Sequence, residues 1–350
     1  MDIDFLLWLQ GMRNSIGEII AIYLSTLGSD VLMIAVACIF YWCLNKKNGK
    51  QLLLAFSFGA FLNCIVKLSC CVYRPWVRDS RIIPVEKAVG EIASYSFPSA
   101  HACVATEMYG GIGYMYRKNK PLFISTVILT ALIMFSRTYL GVHTLYDVLV
   151  GAALGILTLC AAHFMIKYIY TQENSNNDVT LAIITTLLCA ASIIYITLKS
   201  YPSYTINGTL LVDPEKMQQD HFTACGAVLG IVWGFVLERR VLNFETCTSL
   251  IINIIRFLSG MFVTLLLYKV VKVWLIALLG TRYGKLSNAF LVMLYVVVLH
   301  PILFSVIEKK LSPSKCYKIL KKHSFDFQQL IHLMHMLSFM LPWLSHFTNI

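Results

Sequence analysis

Three short stretches of this 350-residue chain place ionisable residues inside otherwise apolar sequence, where charge is costly. Lys67 is followed after six residues by Arg74 and Pro75. Pro98, Ser99, Ala100 and His101 run together. Ser136 and Arg137 are followed after five residues by His143 and after three more by Asp147. Lys67, Arg74 and Arg137 can hold the oxygens of a phosphoryl group, the arginines through forked donors, which stabilises charge without a metal. Pro98 suits the first turn of a helix. The free N–H groups of Ser99, Ala100 and His101 would then point at an anion, with the Ser99 hydroxyl beside them. His143 and Asp147, four apart at a predicted helix start, share one face, so the carboxylate can fix the imidazole tautomer and support its positive charge. His143 is thereby the candidate nucleophile, and both histidines titrate in the range that general acid–base work needs.

Each group also has a plainer explanation. A single Lys67, Arg74 or Arg137 would serve as a base snorkelling to lipid headgroups. His101 alone could bond a helix-end carbonyl, and His143 with Asp147 could be a structural pair or half of a metal site. No third ligand stands at metal spacing, so neither a metal nor a cofactor is expected. Glu107, six residues after His101, either tunes the site or makes an interhelical hydrogen bond.

The elements that must position these groups are membrane helices. The chain is 58% hydrophobic and 13% charged, with a mean hydropathy of +0.70, against roughly 25% charged residues in a soluble domain. Apolar runs at 26–44, 51–70, 99–116, 121–135, 145–166, 180–198, 222–237, 251–268 and 289–307 predict about nine transmembrane helices in an all-α polytopic membrane protein. Lysine and arginine clusters after the first, third, seventh and ninth runs mark one side, which the positive-inside rule makes cytoplasmic. The three polar stretches then meet at the extracytoplasmic face. Arg74, Arg78, Arg81 and Lys87, with Lys269, Lys272, Arg282 and Lys285, break the rule on that outer side. The net charge of +11 points to lipid headgroups, and no nucleic-acid motif is present. The 11 cysteines lie mostly in apolar runs and read as small core residues.

Four regions are expected. Residues 1–25 form an interfacial amphipathic segment and 26–200 a membrane core, with a polar hinge near 173–178. Residues 201–307 add further transmembrane helices, and 308–350 form a basic, amphipathic cytoplasmic tail whose stretch 330–343 lies on the membrane. Gly151 and Gly155, and Gly226, Gly230 and Gly234, have the spacing of close helix packing. The remaining histidines, at 163, 221, 300, 323, 332, 335 and 346, read as packing or interface residues. Asn207, Gly208 and Thr209 match a glycosylation sequon by chance.

The three ordered blocks resemble the signature of the type 2 phosphatidic acid phosphatase superfamily, the membrane lipid phosphate phosphatases: Lys-x6-Arg-Pro, Pro-Ser-Gly-His and Ser-Arg-x5-His-x3-Asp. Ala100 stands where that family usually has glycine, and its methyl would crowd a phosphate if the backbone there had positive φ. The resemblance spans Lys67 to Asp147 directly and the core helices to about Tyr170, and it implies a six-helix phosphatase core formed largely by the N-terminal half. It implies that His143 attacks phosphorus to form a phosphohistidine, with His101 protonating the leaving alcohol and then activating water. Asp147 supports His143, and Lys67, Arg74, Ser99, Ala100 and Arg137 bind phosphate. The expected activity is metal-independent hydrolysis of a lipid phosphate or diphosphate at the extracytoplasmic face, in the cell membrane if the chain is bacterial. The substrates implied are phosphatidic acid, phosphatidylglycerol phosphate, polyprenyl diphosphate and sphingoid-base phosphate. A lipid phosphotransferase using the same intermediate and a non-catalytic lipid-phosphate binding or transport protein stay open as alternatives.

Overall fold

The computed structural model describes residues 2–89, 94–170, 176–202, 205–206, 209–210, 212–242, 244–246 and 249–311. The tail beyond 311, the sequon residues Asn207 and Gly208, and residues 173–175 of the 173–178 hinge lie outside the described residues. The fold is helical, with one two-residue hairpin, Thr205–Ile206 against Thr209–Leu210. In chain order the helices are α1 (Asp2–Gly11), α2 (Ser15–Thr26), α3 (Asp30–Ile39), α4 (Lys46–Cys70), α5 (Pro75–Arg78), α6 (Glu86–Val89), α7 (Ala100–Ala105), α8 (Gly111–Met115), α9 (Lys120–Tyr139) and α10 (Leu145–Ile169). They continue with α11 (Asn177–Leu198), α12 (Pro214–Leu237), α13 (Leu250–Leu266), α14 (Lys272–Leu294) and α15 (His300–Leu311).

Local sequence sets the starts of the longest elements. Asn45, Asn119, Thr144 and Asp213 each accept a backbone N–H at the head of α4, α9, α10 and α12, and proline occupies the first turn of α9 and α12. Wide π-turns at Phe40–Leu44 and Tyr295–Leu299 face each other: Tyr41 OH donates to the Val297 carbonyl and Trp42 Nε1 to that of Val296, both at 2.9 Å. Chain ends of high sequence separation are joined there.

Among the described residues, six helical stretches are long and apolar enough to cross a membrane, or seven if α2 and α3, bent by 48°, count as one span. This tally sits below the expected nine because it leaves out one short run and counts the folded-back stretch Leu250–Ile307 once. The third run folds as a continuous helix over residues 100–115, shorter than about 20 residues and packed among α4, α9 and α10. The last two runs join in one helical stretch, Leu250–Ile307. That stretch is broken at Gly280, whose φ of 75° and ψ of 167° no β-carbon-bearing residue tolerates easily. The chain turns back there: Asn288 Nδ2 donates to the Tyr268 carbonyl at 3.4 Å, and a β-carbon on Gly284 would lie 2.6 Å from Ile276 Cα.

Both glycine series mark close approach. A β-carbon at Gly151 or Gly155 would strike the carbonyl of Ser99 or Cys103, seating α10 against α7. At Gly226 and Gly230 it would strike those of Leu286 and Phe290, seating α12 against α14. At the end of the bundle remote from the three polar blocks, Lys46 and Lys50 pair with the fully buried Glu238, while Arg239 and Arg240 approach Asp178. This puts two of the sequence's basic clusters around one end, opposite Lys67.

Candidate active site

Arg137, His143 and Asp147 come together because α9 runs into α10 through a tight loop. Gly141, at φ 74°, makes the turn that returns Val142 N–H to the Arg137 carbonyl at 3.2 Å. Thr144 caps α10 in a capping box, its hydroxyl taking the Asp147 N–H while Asp147 Oδ2 takes the Thr144 N–H at 2.8 Å. His143 therefore stands just ahead of the helix and not on its first turn, which corrects the expected placement. The pair survives, with His143 Nδ1 3.4 Å from Asp147 Oδ2 and both residues buried.

The second block differs in detail as well. Ser99, not Pro98, is the helix cap, and its hydroxyl accepts the Ala102 N–H at 3.4 Å. The Ser99 N–H, expected to face an anion, is used by the Asp147 carbonyl at 2.8 Å. The Ala100 and His101 N–H groups remain without a protein acceptor among the described residues. Ala100 has no positive φ, so a methyl is compatible with this backbone. His101 is half-buried, lies within reach of the charges of Arg137, His143, Arg74 and Lys67, and makes no hydrogen bond among the described residues.

Three bases surround the histidines, all buried. Lys67, in the last turn of α4, donates to the carbonyls of Tyr95 at 3.0 Å and Ser96 at 3.3 Å. Arg74 spreads its donors over the Ser94 carbonyl (3.1 Å), the Ser94 hydroxyl (2.9 Å), the Val142 carbonyl (2.9 Å) and His143 Nε2 (2.8 Å). Arg137 donates to the Ser25 hydroxyl, and its Nε is buried without a partner. None of the three has a carboxylate at ion-pair distance among the described residues. Burying one uncompensated charge costs several kcal/mol, and an anion placed among the three would offset that cost.

Because arginine only donates, His143 Nε2 accepts from Arg74, and the ring proton sits on Nδ1, facing Asp147. Burial first, and then the charges of Arg74, Arg137 and Lys67, push the His143 pKa well below its usual value near 6.5. The imidazole is held neutral with its lone pair on Nε2.

Ser25, Ser94 and Ser96 escaped the sequence reading. Ser96 Oγ donates to Asp147 Oδ2 at 2.5 Å and lies 3.4 Å from His143 Nδ1. Short hydroxyls in loops have no spacing signature. Ser25 is hidden further because α2, predicted only as an interfacial segment, packs on α9 and brings its last turn to Arg137. Glu107 is a structural group: its Oε1 accepts from Thr158 on α10 at 2.5 Å and from Cys103 at 3.5 Å, away from the bases. Among the described residues, no three His, Cys, Asp or Glu side chains gather as a metal would require.

Apolar spanning helices and a buried basic cluster around a His–Asp pair define an integral membrane protein with a polar site enclosed among its helices. The PAP2 superfamily model matches residues 48–171, and that of the PAP2 superfamily phosphatase transmembrane extension matches residues 222–314; the chain belongs to the PAP2 superfamily. It is similar to phosphatidylglycerophosphatase B of Bacillus subtilis, 32% identical over 118 residues, which are 31% of this chain and 54% of the relative. It is also similar to the undecaprenyl-diphosphatase of Sulfolobus acidocaldarius, 27% identical over 38% of this chain and 63% of the relative. Sphingosine-1-phosphate phosphatase 2 of Homo sapiens is 27% identical over 39% of this chain and 34% of its own length. The chain thus spans between about one third and two thirds of the curated relatives it matches. No solved structure matches it.

Proposed function

We propose that this protein is a lipid phosphatase that hydrolyses a lipid phosphate or diphosphate without a metal, through a phosphohistidine on His143, at the extracytoplasmic face of the membrane. The observation that carries the reading is the cluster of Lys67, Arg74 and Arg137, buried around the His143 imidazole with no carboxylate at ion-pair distance among the described residues. All three relatives are named as phosphatases of lipid phosphates or diphosphates, which supports the class of reaction.

In this reading the bound phosphoryl oxygens draw the Arg74 donors off Nε2, freeing its lone pair. Nε2 attacks phosphorus, the bond from phosphorus to the lipid oxygen breaks, and that oxygen takes a proton from His101. Asp147 supports the imidazolium character that develops on His143, held in place by Ser96 and the Thr144 N–H. Water then gives its proton to His101 and attacks phosphorus, and the P–N bond breaks. Lys67, Arg74 and Arg137, with the N–H groups of Ala100 and His101, hold the equatorial oxygens. Ser99 shapes the helix start.

The extracytoplasmic assignment rests on Lys46, Lys50, Arg239 and Arg240 lying around the end opposite the site. Phosphate release by the detergent-purified protein from a panel of lipid mono- and diphosphates, with a chelator present, tests the reading. Turnover of at least one class is expected, and inertness toward all of them, with lipid phosphate still bound, would make the chain a binder instead.

A further inference from the structure

A cavity of about 480 Å³, in the range of ligand pockets, lies between the core and the extension and reaches the candidate active site at Lys67, Ser94 and Ala100. One wall comes from α3, α4 and α7. The other comes from α12, α13, α14 and the turn after α13. Its lining is sorted by depth. Near Lys67 stand Asp30 at the head of α3, Asp220 in the second turn of α12, and Lys272 and Lys285 on α14, on either side of the break at Gly280. Asp220 and Lys285 lie 3.5 Å apart.

Along each helix away from that end the lining becomes apolar. It passes to Ile34 on α3, Phe56 on α4, Ala227 on α12, Met261 on α13 and Met293 on α14. From Lys67 to Phe56 is eleven residues of α4, or about 16 Å at about 1.5 Å per residue. That is close to half of the roughly 30 Å hydrocarbon thickness of a bilayer. The cavity therefore has the depth of one leaflet, with a charged mouth beside the bases and an apolar floor near the midplane.

Resting on the phosphate site proposed above, we propose that this cavity binds the hydrocarbon chain of the lipid whose phosphate lies at Lys67, Arg74 and His143, and that helices α12 to α14, largely within the extension, set which chains are accepted. The extension is held in register for this by Gly226 and Gly230, which let α12 meet α14 backbone to backbone. Each methylene moved from water into such a cavity contributes about 0.8 kcal/mol. Shortening the cavity by two methylenes thus weakens binding of a long chain by about tenfold.

The test uses the full chain in detergent, a series of single-chain alkyl phosphates of increasing length, and the variants Leu265→Trp on α13 and Val292→Phe on α14, neither of which touches the site. The wild type should show KM falling with chain length. The variants should raise KM by about tenfold or more for long chains while leaving kcat/KM for the shortest phosphate unchanged. A long-chain alkyl phosphate bearing a photoreactive group at its end should label α12–α14 or Phe56 in the wild type. Labelling confined to lipid-facing positions such as Ile128 on α9 or Leu187 on α11 would overturn the inference, as would variants with an unaltered chain-length profile. If the wild type releases no phosphate, the phosphatase reading falls by itself, and the labelling pattern still decides whether the cavity holds the chain. If a variant fails to fold, the same labelling decides.

Discussion

Arg74 Nη1 lies 2.8 Å from His143 Nε2, so the guanidinium occupies the lone pair that the proposed attack on phosphorus would use. That one contact fixes the tautomer of the ring and, in the proposed mechanism, is the donor that a bound phosphate draws away.

Arg74→Lys keeps the charge and loses the fork. A lysine can reach one of the positions now served by Nε, Nη1 and Nη2, so Ser94 and Val142 lose donors and the phosphate loses bidentate support. Loss of one such stabilising donor set costs about 10²–10³ in kcat. Steady-state phosphate release should show that drop, with KM for a long-chain substrate changed far less.

Ser96→Ala removes the hydroxyl that ties Asp147 Oδ2 from the side away from Thr144. His143 keeps its 3.4 Å approach to Asp147, but the carboxylate loses a charge-assisted bond of about 1.5–3 kcal/mol. A roughly tenfold fall in kcat with little change in KM is expected, with Ser96→Thr restoring most of it. Equal losses in both variants would mean that position 96 is sensitive to shape and not to the hydroxyl.

How much of this was legible in sequence depends on the residue. His143, Asp147, Lys67, Arg74 and Arg137 stood out because charge inside apolar runs is rare, and the structure brings them together. The glycine series also read correctly, since small residues four apart on a membrane helix have few other uses. The span count was legible only approximately, since six or seven stretches pass by length and composition with Leu250–Ile307 taken as one. Periodicity cannot show that residues 100–115 stop short, or that Gly280 folds one helix back on itself. Ser96 was invisible because a hydroxyl in a loop looks like any other until the chain is folded, and Ser25 because nothing in the sequence shows that the last turn of α2 packs against Arg137.

The depressed pKa of His143 has a sign that can be checked. In the unfolded chain an ordinary histidine binds a proton as pH falls below about 6.5, while folded His143 stays neutral until well below that. The unfolded state then holds more protons, so stability is fully present above about pH 6.5 and declines below it, by at most about 1.4 kcal/mol per pH unit for this group. Thermal unfolding in detergent should show the decline, and His143→Gln should lessen it. Identical pH dependence in the two proteins would contradict a buried neutral His143.

Gly226→Ala places a β-carbon 2.1 Å from the Leu286 carbonyl, so α12 and α14 must separate. Overpacking of this kind costs about 1–3 kcal/mol, more than the roughly 0.5–1 kcal/mol of helix propensity gained. A lower unfolding midpoint than wild type is expected. Gly11→Ala, where a β-carbon meets nothing within 4 Å, should leave the midpoint near that of wild type.

The most direct measurement is rapid quenching of the purified protein with a lipid phosphate radiolabelled at phosphorus, under conditions that keep a P–N bond, followed by mapping of the labelled peptide. The account predicts label on the peptide containing His143, its appearance before free phosphate, and its absence in His143→Ala. Phosphate release at wild-type rate from His143→Ala, or turnover with label never joined to the chain, would contradict the account.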